Sequence, residues 1–293
     1  MTAKMVAQVR RFNRTVTQRI GVLNENFLAS TRSLGQNRLL WEIGVDGCDI
    51  RSLRERLDLD SGYVSRLLRA LETGGHVVVE PSPTDGRVRI ARLTKTGRGE
   101  LAALDRRSDD AAAAILQPLN DRQRTKLVTA MAEVERLLIA STVQVRECDP
   151  RHRDARFCLK TYYDELAVRF PAGYDPAISP VADAEMTPPA GLLLVASLHG
   201  EPVGCGALIF YPDGVGLVKR MWVAPSVRGL GLGRRLLLEL EDRGRDHGVQ
   251  LMRLETKDVL TEAIRMYQTS GYREVAPFND EPYADHWFEK ALS

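Results

Sequence analysis

Apolar positions in the first part of the chain recur at spacings of three and four. Val9, Phe12, Val16, Ile20, Leu23 and Phe27 form one stripe, which predicts a helix over 5–29. Leu34, Leu39, Leu40 and Ile43 predict a second helix from Ser33 to Gly44. Asp49 is an acidic cap before a short helix that ends at Leu57. The segment Asp58–Gly62 makes a turn. Tyr63–Glu72 is the next helix, stopped by Gly74-Gly75. Two β-rich runs, 76–80 and 88–93, flank P-S-P-T-D-G-R and predict a hairpin. Helices over 96–116 and 121–143 follow; Leu127, Met131, Val134, Leu137 and Leu138 share the apolar face of the second.

The pattern changes after residue 145. The short polar run Val145–Arg151 reads as a linker, and a helix is predicted from Arg151 to Phe170. A proline-rich loop then precedes a long apolar strand, 191–198. Gly204 and Gly206 mark strands with close backbone approach. Val218–Val223 is strand-like and ends at Ala224-Pro225. Val227–Leu237 (V-R-G-L-G-L-G-R-R-L-L) opens a helix with Leu236, Leu237 and Leu240 on one face. A strand over 251–256, a helix from Thr261 and a final strand over 284–290 complete the pattern.

At 293 residues, two domains are the natural expectation: 1–145 and 150–293. The overall charge of +2 hides an asymmetry. Residues 1–145 carry a net +6 and residues 146–293 a net −4, so the first half is the candidate partner of a polyanion. Four scattered cysteines form no C-x-x-C pair, and the five histidines lack ligand spacing, so no metal is expected. No apolar run approaches about 18 residues, and the start lacks a signal-peptide core. No membrane contact is expected, and the cytoplasm is the simplest location.

Three glycines between a strand and a helix start bring unpaired backbone N–H groups together at the positive end of a helix dipole. That is an anion site. G-x-G-x-x-G fails, because the third position is Arg234 or Leu236. No Lys-Ser/Thr follows, which excludes the phosphate loop of nucleotide hydrolases. The spacing Arg228, Gly231, Gly233 resembles the [QR]-x-x-G-x-[GA] acetyl-CoA loop of the GNAT N-acetyltransferases. The preceding K-R-M-W-V-A-P and the later A-I-x-x-Y-x-x-x-G-Y are also similar to that family.

The resemblance implies an α/β fold with a central mixed sheet. It implies acetyl-CoA held by Met221 and Val223 of a splayed strand and by the loop Arg228, Gly229, Leu230, Gly231, Leu232, Gly233 and Arg234. Tyr267 would protonate the leaving thiolate; its other reading is a core aromatic. The family's usual glutamate and Asn/Gln positions hold Leu217 and Leu260, which leaves the base unassigned. Glu255 is the nearest carboxylate by strand logic, and pairing with an arginine is its other reading. Tyr162, Tyr163, Arg169 and Tyr174 are acceptor-contact candidates or ordinary helix and loop residues.

In the first half, two short helices with a tight turn form a helix-turn-helix unit. The second helix would expose Ser61, Tyr63, Ser65, Arg66 and Arg69, which suit base edges and phosphates. R-x-L-x-x-L-E-x-x-G, then D-G-R at the hairpin tip and L-T-x-x-G, resembles the MarR-family winged helix-turn-helix. That resemblance implies a mainly α domain bound to a double-stranded DNA operator. Arg87 would enter the minor groove and Asp85 would hold the wing by a salt bridge. The first helix and the helices over 96–116 and 121–143 would form a homodimer interface. The combined expectation is a regulator that also acetylates a small amine or amino-acid-like acceptor. The alternative is a regulator whose second domain senses acetyl-CoA or a metabolite without catalysis.

Overall fold

The computed structural model describes residues 2–23 and 27–292, which divide into two compact units, Met1–Ala132 and Glu133–Ser293. In the first unit, α1 spans Ala3–Arg19. It ends ten residues before the predicted point. Ile20 caps it, and Gly21 turns the chain at φ 75°, a conformation that glycine adopts without a Cβ clash. Residues 24–26, inside the predicted helix, lie outside the described residues. Helix α2 (Leu34–Ile43) starts in a capping box between Ser33 and Gln36.

Asp49 caps α3 (Ile50–Leu57), its carboxylate accepting the Ser52 N–H at 2.9 Å. Asp60 does the same for α4 (Ser61–Thr73) through the Tyr63 N–H, also at 2.9 Å. Asp58, at φ 50°, supplies the turn between them. The hairpin is β2 (Val77–Pro81) with β3 (Arg89–Leu93). A two-residue strand, β1 (Cys48–Asp49), joins its other edge and was not expected. Leu39, Leu40, Leu53, Val64, Leu68, Leu71, Val77 and Leu93 form one buried core, so both helices of the turn unit and the hairpin pack as one body. Helices α5 (Lys95–Leu116) and α6 (Asp121–Thr142) follow. Neither α1 nor α6 buries a described residue within this chain.

The second unit is a seven-stranded mixed sheet in the order β4-β5-β6-β7-β8-β10-β9. The predicted linker is in fact its edge: β4 (Gln144–Glu147) pairs antiparallel with β5 (Gly191–Leu198), opposite residues 194–197. Four residues with alternating side chains are too few to reveal a strand; the partner supplies the order. Strands β6 (Glu201–Tyr211) and β7 (Val215–Val223) continue antiparallel. Then β7 runs parallel to β8 (Leu251–Thr256). Finally β10 (His286–Ala291) lies between β8 and β9 (Arg273–Val275).

Alternate residues of β5 face opposite layers. Leu192, Leu194 and Ala196 pack with Leu236, Leu237 and Leu240 of α8 (Leu232–Asp246). Leu193 and Val195 pack with Ala155, Cys158 and Leu159 of α7 (Arg153–Arg169). Gly206 makes the α8 contact possible. A Cβ there would come within 2.6 Å of the Met221 sulfur and 3.0 Å of Leu240. The last helix, α9 (Thr261–Thr269), follows β8.

Candidate active site and candidate DNA-binding face

Strands β7 and β8 pair only from Val215–Leu251 to Val218–Leu254. Beyond Val218 they part. At the same point Arg220 takes φ 56°, and the β6–β7 register slips between Cys205 and Ala207. A bulge there turns β7 away from its parallel neighbour. The opening is a cleft of about 740 Å³ between α7, β7, α8 and α9.

Of the residues expected around acetyl-CoA, Met221, Val223, Arg228, Gly229, Gly231, Leu232, Gly233 and Arg234 line this cleft. Leu230 instead packs partly buried against the apolar core. Gly229 and Gly231 both have φ 79°, and an added Cβ at either meets nothing within 4 Å. The glycines therefore serve a left-handed backbone and leave open space above it. Gly231 caps α8 without a side-chain hydrogen bond, so the first-turn N–H groups stay available to an anion. Gly233 has a different reason: a Cβ there would lie 3.0 Å from the Met266 sulfur, so it sets the approach of α8 to α9.

The arginines of the loop are already engaged. Arg228 donates to the Val223 carbonyl at 2.9 Å and to Glu165 at 2.5 Å. Glu165 also accepts from Trp222 Nε1 at 2.9 Å. Arg234 donates to the Thr269 hydroxyl at 2.6 Å, tying α8 to the end of α9. Arg169 pairs with Glu262 and donates to the Val259 carbonyl at 3.1 Å. It lines the cleft, away from the smaller chamber beyond.

That chamber, about 90 Å³, adjoins the cleft, and six residues line both: Tyr162, Leu166, Met221, Leu260, Ala263 and Tyr267. Lys219 bridges two carboxylates here, Glu255 and Glu281, the latter at 2.6 Å. Burial pushes the Glu255 carboxyl above its ordinary range, although Lys219 pulls the other way. Glu281 is also disfavoured by burial. Hydrogen bonds from Lys219 and Ser179, with the Lys219 charge, outweigh that and hold it below its ordinary value. Burial and then the Glu255 charge raise the Tyr267 phenol, so it keeps its proton. Tyr267 also packs against Tyr272 and Phe288, ring centroids 6.1 Å apart in each pair.

Of the acceptor candidates, Tyr162 and Tyr174 line the chamber. Tyr163 stacks behind on Tyr174. Sequence reasoning missed Lys219, Arg220 and Glu281. Leu217, at the family's glutamate position, is buried.

In the first unit, Ser61, Tyr63, Ser65, Arg66 and Arg69 all lie on the exposed face of α4. The Arg66 guanidinium sits 5.7 Å from the Tyr63 ring centroid, and Ser65 donates to the Ser61 carbonyl at 2.7 Å. At the exposed wing tip, Asp85 accepts the Arg87 backbone N–H at 3.0 Å. This hydrogen bond within the turn stands where a salt bridge was expected. Arg89 clamps the hairpin through the Val79 carbonyl at 3.0 Å.

The parallel pair β7–β8 parts beside a glycine loop at the start of α8. Residues 159–272 match the model of the acetyltransferase (GNAT) family, and residues 31–88 match that of the MarR family. The chain thus carries one segment similar to the MarR family and another similar to the GNAT family, whose fold uses acetyl-CoA. An IAA acetyltransferase of Azospirillum brasilense is 42% identical over 91 residues, 31% of this chain and 58% of that protein. An N-acetyltransferase of Schizosaccharomyces pombe is 37% identical over 97 residues, 32% of this chain and 60% of that protein. The matches span less than two thirds of either relative. A GNAT-family acetyltransferase structure from Staphylococcus aureus aligns with a TM-score of 0.44 at 19% identity, over 52% of this chain and 99% of that one. Among the described residues, no helix is long and apolar enough to cross a membrane, and no group of three or more His, Cys, Asp or Glu could hold a metal.

Proposed function

We propose that the protein is a DNA-binding regulator that also transfers an acetyl group from acetyl-CoA to a small amine. The observation that carries the enzymatic part is the junction of cleft and chamber at Tyr267, with Glu255 on the chamber wall. Acetyl-CoA supplies the thioester carbon that the amine attacks. The loop 228–234 and the start of α8 hold its pyrophosphate, and Met221 and Val223 lie along its arm.

Glu255 takes a proton from the incoming ammonium. Burial raises its carboxyl above the ordinary range, which makes it a stronger base than a free carboxylate. Tyr267 gives its phenolic proton to the sulfur as the C–S bond breaks and regains one, through water, from the nitrogen that has formed the new C–N bond, while Glu255 releases the ammonium's proton to solvent. Proximity in the adjoining spaces supplies much of the remaining rate.

For DNA, the support is the exposed α4 face and Arg87 on the wing. For a homodimer, it is the uncovered apolar positions Val9 and Phe12 of α1 and Met131, Leu137 and Leu138 of α6. Two copies would then address two operator half-sites. The deciding experiment follows CoA release from acetyl-CoA with a panel of amines and amino acids, beside a gel shift with the protein's own promoter. Turnover with DNA binding is the expected result. Tight acetyl-CoA binding without turnover would replace catalysis by sensing, and failure to bind any DNA fragment at low salt would remove the regulator.

A further inference from the structure

The chamber contains a buried cation that the acetyl-transfer chemistry does not use. Arg220 is 4% exposed. Its guanidinium donates to the Tyr174 hydroxyl at 2.9 Å and to the Ser179 carbonyl at 2.6 Å. The Tyr163 ring lies 5.2 Å from its carbon. All of these are neutral partners, and Arg220 makes no salt bridge to a described carboxylate. Its Nε is buried without any hydrogen-bond partner. A guanidinium keeps its charge at any working pH, so a buried one demands an anion or a full set of acceptors.

The opposite charge lies elsewhere in the same chamber. Glu255 and Glu281 share the single ammonium of Lys219. With both ionised, that group is net negative by one, and Arg220 is positive by one. The chamber therefore has an acidic patch and a cationic one, and Ser179 touches both: its hydroxyl donates to Glu281 at 2.8 Å and its carbonyl accepts from Arg220. Burial pushes the Tyr174 phenol up to about 12, so it stays a neutral donor or acceptor beside Arg220.

We infer that the acceptor is an α-amino acid, its carboxylate bound by Arg220 and its ammonium turned to Glu255. This deepens the transferase reading and rests on it. A zwitterion matches both charges at once. A plain amine leaves the guanidinium unpaired, and a plain carboxylic acid leaves the acidic patch unpaired. Arg220 is then a specificity-determining residue, and its φ of 56° has a use: the bulge that opens the cleft also aims this side chain into the chamber.

The test compares three forms of each acceptor: the amino acid, its amide and the decarboxylated amine, for glycine, alanine and phenylalanine. CoA release is measured with wild type and with Arg220→Gln. Wild type should favour the amino acid over both other forms by at least tenfold in kcat/KM. Arg220→Gln should lose that preference, chiefly through KM. The preference is a ratio within one preparation, so a partly folded variant does not distort it, and acetyl-CoA titration of the variant checks the cleft. Equal use of amides and amino acids by wild type would overturn the inference while leaving the transferase in place. So would a preference that survives in Arg220→Gln. If no acceptor turns over, the transferase reading fails. Calorimetric titration of wild type saturated with CoA, using the same nine compounds, then decides the anion site: binding of the amino acids alone supports it, and equal or no binding rejects it.

Discussion

The Arg228 guanidinium reaches across the cleft mouth to the Glu165 carboxylate at 2.5 Å. The residue expected to meet a pyrophosphate is held by a carboxylate of α7 instead. Glu165→Gln keeps an acceptor for Trp222 but removes a negative charge from the site of a polyanion. Acetyl-CoA should then bind about two- to tenfold more tightly at low ionic strength, with the gain shrinking as salt screens it. Calorimetric titration at two salt concentrations reads this directly; weaker binding at both would mean that Glu165 orients Arg228 productively.

Gly231→Val should abolish acetyl-CoA binding and spare DNA binding. A β-branched residue at φ 79° carries a strain of about 1–2 kcal/mol, and its side chain would occupy the space above the α8 N-terminus. Near-normal affinity in a titration would remove the loop from the binding site.

Tyr267→Phe retains the packing against Tyr272 and Phe288 and deletes the hydroxyl. Turnover should fall roughly ten- to a thousandfold with acetyl-CoA affinity and melting temperature little changed. The acidic limb of kcat/KM supplies the companion test. The Glu255 carboxyl titrates above its ordinary range because of burial, and it must be ionised to accept a proton. Activity should therefore fall, as pH is lowered, at a pH above the usual carboxylate range. Glu255→Gln should lower the rate and abolish that limb. A full rate in either variant would reject its proton-transfer role.

Arg87→Ala should weaken operator binding by about 1–3 kcal/mol if the side chain enters a groove. Asp85 holds the tip through the Arg87 backbone, so the turn survives the substitution. Unchanged affinity in a gel-shift titration at moderate salt would dismiss the wing contact.

The helices after Ser33 and Asp49 were legible because those caps are local, whereas α4 starts at Ser61, two residues before the expected Tyr63, because Asp60 caps it from within the expected turn. The glycine loop between β7 and α8 was legible for the same reason, since spacing within ten residues carries its geometry. What escaped was made by distance in sequence. Strand β4 exists because β5 lies beside it. Arg220 acquires its surroundings from Tyr163, Tyr174 and Ser179, more than 40 residues upstream, and from a bulge no periodicity reveals. Glu281 comes from a loop after β9 and meets Lys219 only when the sheet is assembled. The tyrosines were visible as candidates, but not the charge they surround.

Tyr267 stands in a wall common to the cleft and the chamber, which under the proposed function would each hold one reactant. An enzyme built that way holds both reactants together. The two described cysteines nearest the bulge, Cys158 and Cys205, are wholly buried, with their sulfurs directed to the carbonyls of Gly204 and Arg220. They are not placed to carry the acyl group between separate visits. Initial-velocity lines should accordingly intersect when both substrates are varied, because the acetyl group passes directly from donor to acceptor in a ternary complex.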